Sequence, residues 1–472
     1  MPDLSLPRGR GGLREVLKVA LPLVIASLGH AVNLFTDRVM LAAYSPQAMA
    51  AAFPAGLTVF TMSCIFLGTV GYAGVFVAQY TGAGSPHEAA KSVWQAVFLA
   101  LVGGACIAGT GCFATEIFAL CGHAKELQPM EAEYYRILAR GGFLPLVMTA
   151  LSVFWSGRAR TGMIMAVNLA VTACNIPLNY LLIFGRQFRL GDWTLRIPEM
   201  GISGAALGTV GAAAIGMTIY WVAFFSNGNR KEFSPLRNIF APRIFGRLIR
   251  FGAPTGIQLV LDLATFNIFV VLLGKISEPV LTASGVAFSA YSLAFNPMIG
   301  FGQTASILVG QGVGAKDIPF AEKSVYSAGL LLFSYTLVMV ALFLWFPELV
   351  NQTFNIRQES VRHLTRIMLI FTSAYMIFDA MNVLYSSAVK GAGDTWFVMI
   401  TGMLLGWLGF ALPCALAYWF FSGPGAEMLG AERARSLNVW TLWSILVVYI
   451  GLLGSVFYVR FRLGKWKTMR VI

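Results

Sequence analysis

Three carboxylic acids interrupt stretches of the sequence that are otherwise apolar. They are Asp37, Asp262 and Asp379. A carboxylate at the centre of a bilayer costs about 2.5 to 3.5 kcal/mol on insertion scales, so each acid needs a physical reason. Burial favours the protonated form of the acid, and a bound cation favours its ionised form. Because either event changes the relative stability of two conformations, the acids indicate coupling of a proton or sodium gradient to a conformational change.

Each acid also has a purely structural interpretation. A hydrogen bond from a neighbouring helix could hold it, with no part in ion coupling. For Asp37 the adjacent basic residue is Arg38, but consecutive residues of a helix point about 100° apart and rarely face each other. We therefore expect the Arg38 side chain to extend to the outer membrane interface rather than to pair with Asp37.

Amides and glycines provide a second set of candidate residues. Asn175 and Asn179 stand four residues apart in NIPLNY, on one face of a helix and about 6 Å apart along its axis. Two amide oxygens on one face can bind a hard cation. Asn within lipid also serves as a hydrogen-bonding contact between helices, and taken alone this interpretation is favoured. The run GISGAALGT (201–209) predicts close helix packing through its glycines, and Thr209 adds a hydroxyl.

Membrane-crossing helices are needed to place these residues. The chain has 472 residues, of which 57% are hydrophobic and 12% charged, whereas soluble domains carry about a quarter charged residues. Nine stretches contain no charged residue and are each long enough for a membrane helix, which needs about 17 to 25 residues. Three further stretches, 19–44, 251–274 and 367–389, contain the acids. The sequence therefore predicts twelve transmembrane helices.

The distribution of basic residues predicts the orientation in the membrane. The formal charge is +13, from 34 Lys and Arg against 21 Asp and Glu. The basic residues concentrate in the N-terminal segment, in the central loop and in the C-terminal tail. This pattern follows the positive-inside rule and predicts a multi-pass inner-membrane protein with both termini in the cytoplasm. The same placement argues against a nucleic-acid partner.

An internal repeat divides the chain into two halves. VAQYTGAGSPHEAAKSVWQA (77–96) and VGQGVGAKDIPFAEKSVYSA (309–328) share nine of twenty positions without a gap, at an offset of 232 residues. The same offset relates Pro22 to Pro254. Both copies follow the second helix of their half, so the halves run in the same direction through the membrane. Parallel repeats predict a pseudo-two-fold axis along the membrane normal, with a substrate path between the halves.

We therefore expect an all-α membrane protein with twelve transmembrane helices in two six-helix lobes. The predicted domains are an N-lobe at 1–228, a cytoplasmic linker at 229–250 and a C-lobe at 251–472. Duplication could also serve packing alone, but duplicated halves with membrane-buried acids favour transport.

Enzyme and pump functions lack their sequence signatures. The six cysteines form no CxxC pair and have no His-flanked metal spacing. The sequence has no HExxH motif and no GxSxG motif placed at a strand-to-helix turn, so an intramembrane enzyme is disfavoured. It also lacks the GxxxxGK[ST] loop of an ATP-driven pump. We expect neither catalysis nor a bound cofactor.

Several motifs together resemble the multidrug and toxic compound extrusion (MATE) family, in particular its NorM-like branch. They are, in chain order, FTDRVMLA, QYTGAG with its echo QGVGAK, NIPLNY, MGISGAALGT, GAPTGIQLVLDL and FDAMNVLYSSAVKGAGDT. Their order and spacing, over nearly the whole chain, carry the resemblance. It implies two lobes around a central cavity and antiport of Na+ or H+ against amphipathic, often cationic, small molecules. We expect a monomer in the lipid bilayer.

The resemblance also implies roles for individual residues. An N-lobe cation site would consist of Asp37, Asn175, Asn179, Thr209 and the Ala205 backbone, with Na+ as a candidate ion at the first three. Asp262 and Asp379 would act in coupling or in substrate binding. The family branch more often has Glu at the position of Asp262, so this site departs from the pattern by one methylene.

A flippase of lipid-linked or polysaccharide precursors is the nearest alternative within transport. Such a protein needs basic residues in its cavity to bind pyrophosphate. The charges near the middle of the predicted helices are acidic, which argues against this alternative.

Overall fold

The computed structural model describes residues 10–190, 193–234 and 239–472. Parts of two predicted basic segments, residues 1–9 and 235–238, lie outside this range. Ten helices and one hairpin form the first half of the described chain. They are α1 (Leu13–Tyr44), α2 (Pro46–Gly71), α3 (Ala73–Gly82), α4 (Pro86–Thr110), α5 (Ala114–Leu120), α6 (Gln128–Arg140), α7 (Phe143–Ser156), α8 (Thr161–Phe184), β1 (Arg186–Leu190), β2 (Trp193–Ile197), α9 (Gly201–Phe224) and α10 (Asn227–Phe233).

Nine further helices form the second half. They are α11 (Pro242–Ile276), α12 (Glu278–Ala315), α13 (Ile318–Trp345), α14 (Pro347–Thr353), α15 (Glu359–Ala392), α16 (Thr395–Gly406), α17 (Leu412–Ser422), α18 (Pro424–Leu429) and α19 (Ala431–Arg462). One wider π-helical turn, Trp407–Ala411, joins α16 to α17, so these two helices form a single span.

Within the described ranges, eleven helical segments are long and apolar enough to cross a membrane. The twelfth predicted span forms α12, which is 38 residues long but has no 18-residue window as apolar as those of the other eleven. Its sequence is rich in Ala, Gly and Ser, and many of these small residues are buried. Small residues let neighbouring helices approach closely. The prediction of twelve membrane helices is therefore confirmed, with α12 as the span of lowest hydropathy.

The order of the helices repeats at the offset found in the sequence. The second helix of each half starts after a serine N-cap, Ser45 for α2 and Ser277 for α12, and these caps are 232 residues apart. Each cap accepts a hydrogen bond from the backbone N–H three residues later, at 3.4 Å in both halves. Serine is a favoured N-cap because its hydroxyl satisfies an N–H of the first turn. The duplication thus extends to the capping of equivalent helices.

The chain divides into two compact units by its internal packing. The N-unit comprises Ile25–Ile257 with Val471–Ile472, and the C-unit comprises the described residues up to Val24 with Gln258–Arg470. The first helix of each half, α1 or α11, therefore changes unit along its length, shortly after Pro22 or Pro254. Proline leaves a helical carbonyl without its N–H donor and permits a bend. The lobe boundaries and the pseudo-two-fold axis drawn from the sequence stay predictions.

Glycines of α9 allow the close approach that their sequence predicts. A Cβ atom at Gly204 would lie 2.3 Å from the Leu182 carbonyl oxygen of α8. Backbone cannot move aside as a flexible side chain can, so only glycine fits at this crossing. This contact fixes α8, which carries Asn175 and Asn179, against α9.

A short β-hairpin is the one departure from the predicted all-helical architecture in the described part of the chain. Strands β1 and β2 pair antiparallel between α8 and α9, with Arg186 opposite Ile197. The segment is too short and too polar to form another membrane helix. The hairpin therefore connects two spans without changing the helix count.

Candidate ion-coupling sites

Asp37 lies on α1 in the N-unit and is partly buried. Its carboxylate accepts a hydrogen bond from Asn179 Nδ2 on α8. The same Nδ2 also donates to Asn175 Oδ1, 3.2 Å away and one turn earlier on α8. Asn175 and Asn179 are only 2% and 0% exposed. The structure thus joins three of the predicted site residues in one hydrogen-bonded chain.

Two amide oxygens in this region are buried without a hydrogen-bond partner among the described residues. They are Asn179 Oδ1 and Asn33 Oδ1. Asn33 precedes Asp37 by one turn of α1, so both side chains lie on the same helix face. An unsatisfied buried acceptor costs about 1 to 3 kcal/mol, and a hard cation satisfies such oxygens. A carboxylate with neighbouring amide oxygens fits Na+, and the carboxylate alone fits a proton.

The part of the chain that the structure describes contains no cluster of residues suited to a transition metal. There, no group of three or more His, Cys, Asp or Glu residues could hold a metal ion. The donors around Asp37 are oxygens of a carboxylate and of amides, which select hard cations over soft ones.

Ala205 and Thr209 lie on α9 and form a pair of their own. Thr209 Oγ1 donates a hydrogen bond to the Ala205 carbonyl oxygen at 3.0 Å. Gly208, which lies between them in the sequence, touches the site. A Cβ atom added at Gly208 would lie 1.8 Å from Asn179 Oδ1. Helix α9 therefore meets the Asn179 side chain through the backbone of Gly208. A role of Ala205 and Thr209 as cation ligands stays a prediction.

A methyl group at Gly208 should displace the Asn179 carboxamide and weaken cation binding. For Gly208→Ala we expect the cation concentration that gives half-maximal flux to rise by about tenfold, which corresponds to about 1.4 kcal/mol. Gly211→Ala on the same helix is the matched control, because the nearest atom to its new Cβ, on Leu178, lies 3.7 Å away. Equal cation dependence in the two variants would contradict the placement of Asn179 in the site.

The Arg38 side chain extends in a different direction from the Asp37 side chain. Its side chain is exposed, and its guanidinium carbon lies 5.1 Å from the centre of the Phe53 ring. This cation–π contact orients the charge without the carboxylate. The structure agrees with the expectation that Arg38 does not neutralise Asp37.

Asp379 lies on α15 in the C-unit and is 2% exposed. Its carboxylate accepts one hydrogen bond from the Tyr291 hydroxyl of α12 and another from Asn382 Nδ2, at 2.9 Å. The Tyr291 ring packs edge-on against Tyr375, with centroids 5.0 Å apart. Hydrogen bonds to an ionised acceptor are the strong ones, so these two donors stabilise the Asp379 carboxylate when it is ionised.

Asp262 lies on α11, less deeply buried than Asp379. A Cβ atom at Gly402 of α16 would lie 3.4 Å from Gln258 Nε2 and 3.9 Å from Asp262 Oδ1. Both polar side chains therefore rest against a glycine. Asp262 also interacts electrostatically with Lys390 and Asp379. The structure thus brings the two predicted acids of the second half into one electrostatic group.

Lys390, which lies near a helix end, adds a basic residue to the acids that lie near the middle of the helices. It lies on α15, two residues before the end of that helix, and it interacts electrostatically with Asp262. One lysine beside two acids leaves the group negative when all three are ionised. A pyrophosphate would meet net repulsion at such a group.

Sequence reasoning missed three residues of these groups, Asn33, Tyr291 and Lys390. Asn33 could have been found by its spacing of four residues from Asp37. A tyrosine in an apolar helix resembles a packing residue, and nothing in the sequence shows that its hydroxyl meets a carboxylate. Lys390 lies near a helix end, where a long side chain is expected to reach water.

A protein-family model described as MatE matches residues 22–181 and 254–407 of the chain. The two matched ranges begin at Pro22 and Pro254, the prolines inside α1 and α11. They include Asp37 and Asn179 in the first range and Asp262 and Asp379 in the second. The match covers more than half of the chain, and its two parts correspond to the repeated halves.

Curated relatives match over nearly the whole chain. The probable multidrug resistance protein NorM of Rhizobium meliloti (strain 1021) is 26% identical over 449 residues, which is 92% of this chain and 93% of that protein. The multidrug resistance protein PmpM of Pseudomonas aeruginosa is 26% identical over 484 residues, covering 98% of this chain and 94% of that protein.

Solved structures share the fold at lower sequence identity. A crystal structure of MATE in complex with MaD3S superposes with a TM-score of 0.83 at 17% identity, covering 99% of this chain and 100% of that one. An outward-facing multidrug resistance MATE family transporter superposes with a TM-score of 0.81 at 17% identity, covering 99% of each chain. From the two-part match and these full-length likenesses, the chain belongs to the MatE family of transporters, as its sequence motifs indicated.

Proposed function

We propose that the chain is a secondary active antiporter that exports amphipathic, often cationic, small molecules in exchange for Na+ or H+ by alternating access. Family membership supports export, and two relatives are named for multidrug resistance. The observation that carries the ion-coupling part is the Asp37 carboxylate, which the Asn179 amide holds beside amide oxygens without partners.

We infer two arrangements of the N-unit site, which differ in the Asn179 amide atom that faces Asp37. With Nδ2 toward Asp37, the amide stabilises the ionised carboxylate. Rotation of the carboxamide by half a turn would direct Oδ1 to a cation bound at Asp37. The oxygen and nitrogen of an amide occupy nearly the same space, so the exchange needs little room. Ion binding would thereby break the hydrogen bond between α1 and α8 and change the relative stability of two conformations.

The C-unit group would act in coupling or in substrate binding. Asp262 and Asp379 attract cations, and the attraction is stronger in a medium of low dielectric constant than in water. Lys390 offsets part of this charge and would be released from Asp262 when a cationic substrate binds there. The group thus favours cationic over anionic substrates.

The remaining properties follow from family and charge distribution. We propose a monomer in the inner membrane, with both termini in the cytoplasm and with helix ends at Ser277 and Glu359 on the outer side. This orientation rests on the positive-inside rule. The cation is transported cargo, and the proposed cycle uses no cofactor and no catalysis.

Transport by purified protein in liposomes tests the proposal. The protein should move a fluorescent organic cation against an imposed Na+ or H+ gradient, and each gradient is applied separately. Dissipation of the gradient with an ionophore should stop the accumulation. Absence of flux under both gradients would overturn the proposed antiport.

A further inference from the structure

Two helices of the C-unit carry matching series of polar residues at seven-residue spacing. The series are the N-cap Ser277 with Ser284 and Tyr291 of α12, and Thr365, Thr372 and Asp379 of α15. Seven residues make nearly two helical turns, so each series follows one face, with about 10 Å between successive levels. Each member on α15 follows its counterpart on α12 by 88 residues. The spacing places three polar pairs along the two helices.

One contact fixes the register between these faces. At the deepest level, the Tyr291 hydroxyl donates to the Asp379 carboxylate. Nearer the helix starts, Val280 and Met368, also 88 residues apart, line the same cavity, so the two helices run side by side there too. Continued from the Tyr291–Asp379 contact, the register places Ser284 opposite Thr372, and Ser277 opposite Thr365.

Several polar atoms along this seam, the facing surfaces of α12 and α15, are buried without a partner among the described residues. Ser284 Oγ and Thr365 Oγ1 belong to residues that are 1% and 0% exposed. Other hydroxyls of these helices bond to the carbonyl four residues earlier, as those of Thr372 and Ser373 do at 2.8 Å. Unsatisfied buried hydroxyls cost free energy unless water reaches them.

Helix α19 contributes two more such atoms from the third side. Asn438 Oδ1 and Trp443 Nε1 are buried and have no hydrogen-bond partner in the described chain. Asn438 follows Arg435 by three residues, so it shares a helix face with a residue that lines the same cavity as Val280 and Met368. The Trp443 ring stacks on Phe288 of α12, with centroids 5.0 Å apart. Polar atoms of three helices therefore converge between the cavity and the Tyr291–Asp379 hydrogen bond.

The cavity provides an opening at the ends of these helices. It has a volume of about 140 Å³ and includes Ser277, Arg435 and Ser436 in its lining. Arg435 and Ser436 are exposed. In the proposed orientation this opening faces the outer side. Its volume accommodates several water molecules, and Ser277, Arg435 and Ser436 supply the polar groups of a lining that is otherwise mostly apolar.

We propose that the seam between α12, α15 and α19 is a hydrated route by which protons from the outer side reach Asp379 through the interior of the C-unit. The route rests on the proposed antiport. Each of the three polar pairs has one or two hydroxyl groups or nearby amide atoms that can hydrogen-bond to a water molecule. Waters held in this way can form a hydrogen-bonded chain. A dehydrated Na+ needs about six oxygen ligands at once, by analogy with other hard cations, and no level supplies them.

Thiol accessibility tests the hydration of the route independently of transport. In a chain with all six cysteines replaced by alanine, Ser284→Cys is exposed to Ag+ from the outer side of proteoliposomes. The remaining free thiol is then measured with a maleimide after unfolding. The control is Thr336→Cys on α13, because Thr336 is 1% exposed and its hydroxyl bonds to the Leu332 carbonyl oxygen.

We expect Ag+ to block the thiol of Ser284→Cys at least about tenfold faster than that of Thr336→Cys, because only the first lies on a water path. Equally slow reaction of both thiols would overturn the route. This result is distinct from failure of the proposed function, which would appear as absence of gradient-driven flux in the unmodified protein.

Removal of the Thr365 hydroxyl tests whether protons use the route. Thr365→Val keeps the side-chain shape, and we expect proton-driven flux to fall by about tenfold, since the barrier to proton entry rises. The affinity for the organic cation should stay unchanged. If Thr365 had only a structural role, its replacement would change this affinity as well. Thr336→Val should retain full flux. Full proton-driven flux in Thr365→Val would also overturn the proposal.

Discussion

Asp37→Asn should abolish gradient-driven flux while the folded protein still accumulates in the membrane. The substitution removes the titratable charge but keeps the side-chain size, and its amide still has an oxygen for Asn179 Nδ2. Without the carboxylate, neither a proton nor Na+ gains differential affinity for one conformation. We expect coupled flux to fall by at least about 100-fold, the scale of a positioned proton-transfer group.

The matched control for this experiment is an acid outside both candidate sites. Glu359 opens α15, and its side chain is 85% exposed. Glu359→Gln should retain coupled flux, because a surface ion pair contributes little. Flux is measured in liposomes at equal protein density, with the thermal midpoint as a check of folding. Wild-type flux in Asp37→Asn would make the residue structural and remove the N-unit from the coupling mechanism.

Asp379→Asn should produce the second large loss of transport. The Tyr291 hydroxyl and Asn382 Nδ2 both donate to the carboxylate, so an amide at this position presents its own donor to one of them. A buried donor without an acceptor costs about 1 to 3 kcal/mol, and the charge is lost as well. We expect flux to fall by at least about 30-fold, with a small decrease in the thermal midpoint.

Two further variants separate the charge of Asp379 from its hydrogen bonds. Tyr291→Phe keeps the carboxylate and removes one donor, so its loss of flux should be smaller than that of Asp379→Asn. Tyr335→Phe is the control, because the Tyr335 hydroxyl donates to the Ala294 carbonyl oxygen, 3.1 Å away, outside the site. Equal flux in Asp379→Asn and the wild type would assign no transport role to this acid.

Much of the fold could be predicted because the sequence repeats itself. An offset of 232 residues related the loops after the second helices, and the structure extends it to Ser45 and Ser277 as equivalent caps. The hairpin Arg186–Ile197 was not predicted, since a short polar segment between spans has no hydrophobic periodicity. The wider turn at Trp407–Ala411 was also missed, because its residues are as apolar as those of an ordinary helix.

The candidate sites were predictable only in part. An acid within an apolar stretch is visible in any membrane sequence, so Asp37, Asp262 and Asp379 stood out. The partner of each acid lies on another helix, and helix facing depends on packing between segments that are distant in the chain. Asn179 was found through its spacing from Asn175, whereas Tyr291 had no such signal. Opposed hydroxyls such as Ser284 and Thr372 become visible only when the register between helices is known.

The modest hydropathy of α12 bears on how the chain is assembled during synthesis. A translocon releases a helix into lipid according to its hydropathy, and the Ser, Gly and Asn residues of α12 lower that driving force. Small residues gain their stabilising contacts only when the partner helix is present. That partner, α15, leaves the ribosome later than α12. Helix α12 therefore reaches its final stability after it has been made, when α15 arrives beside it.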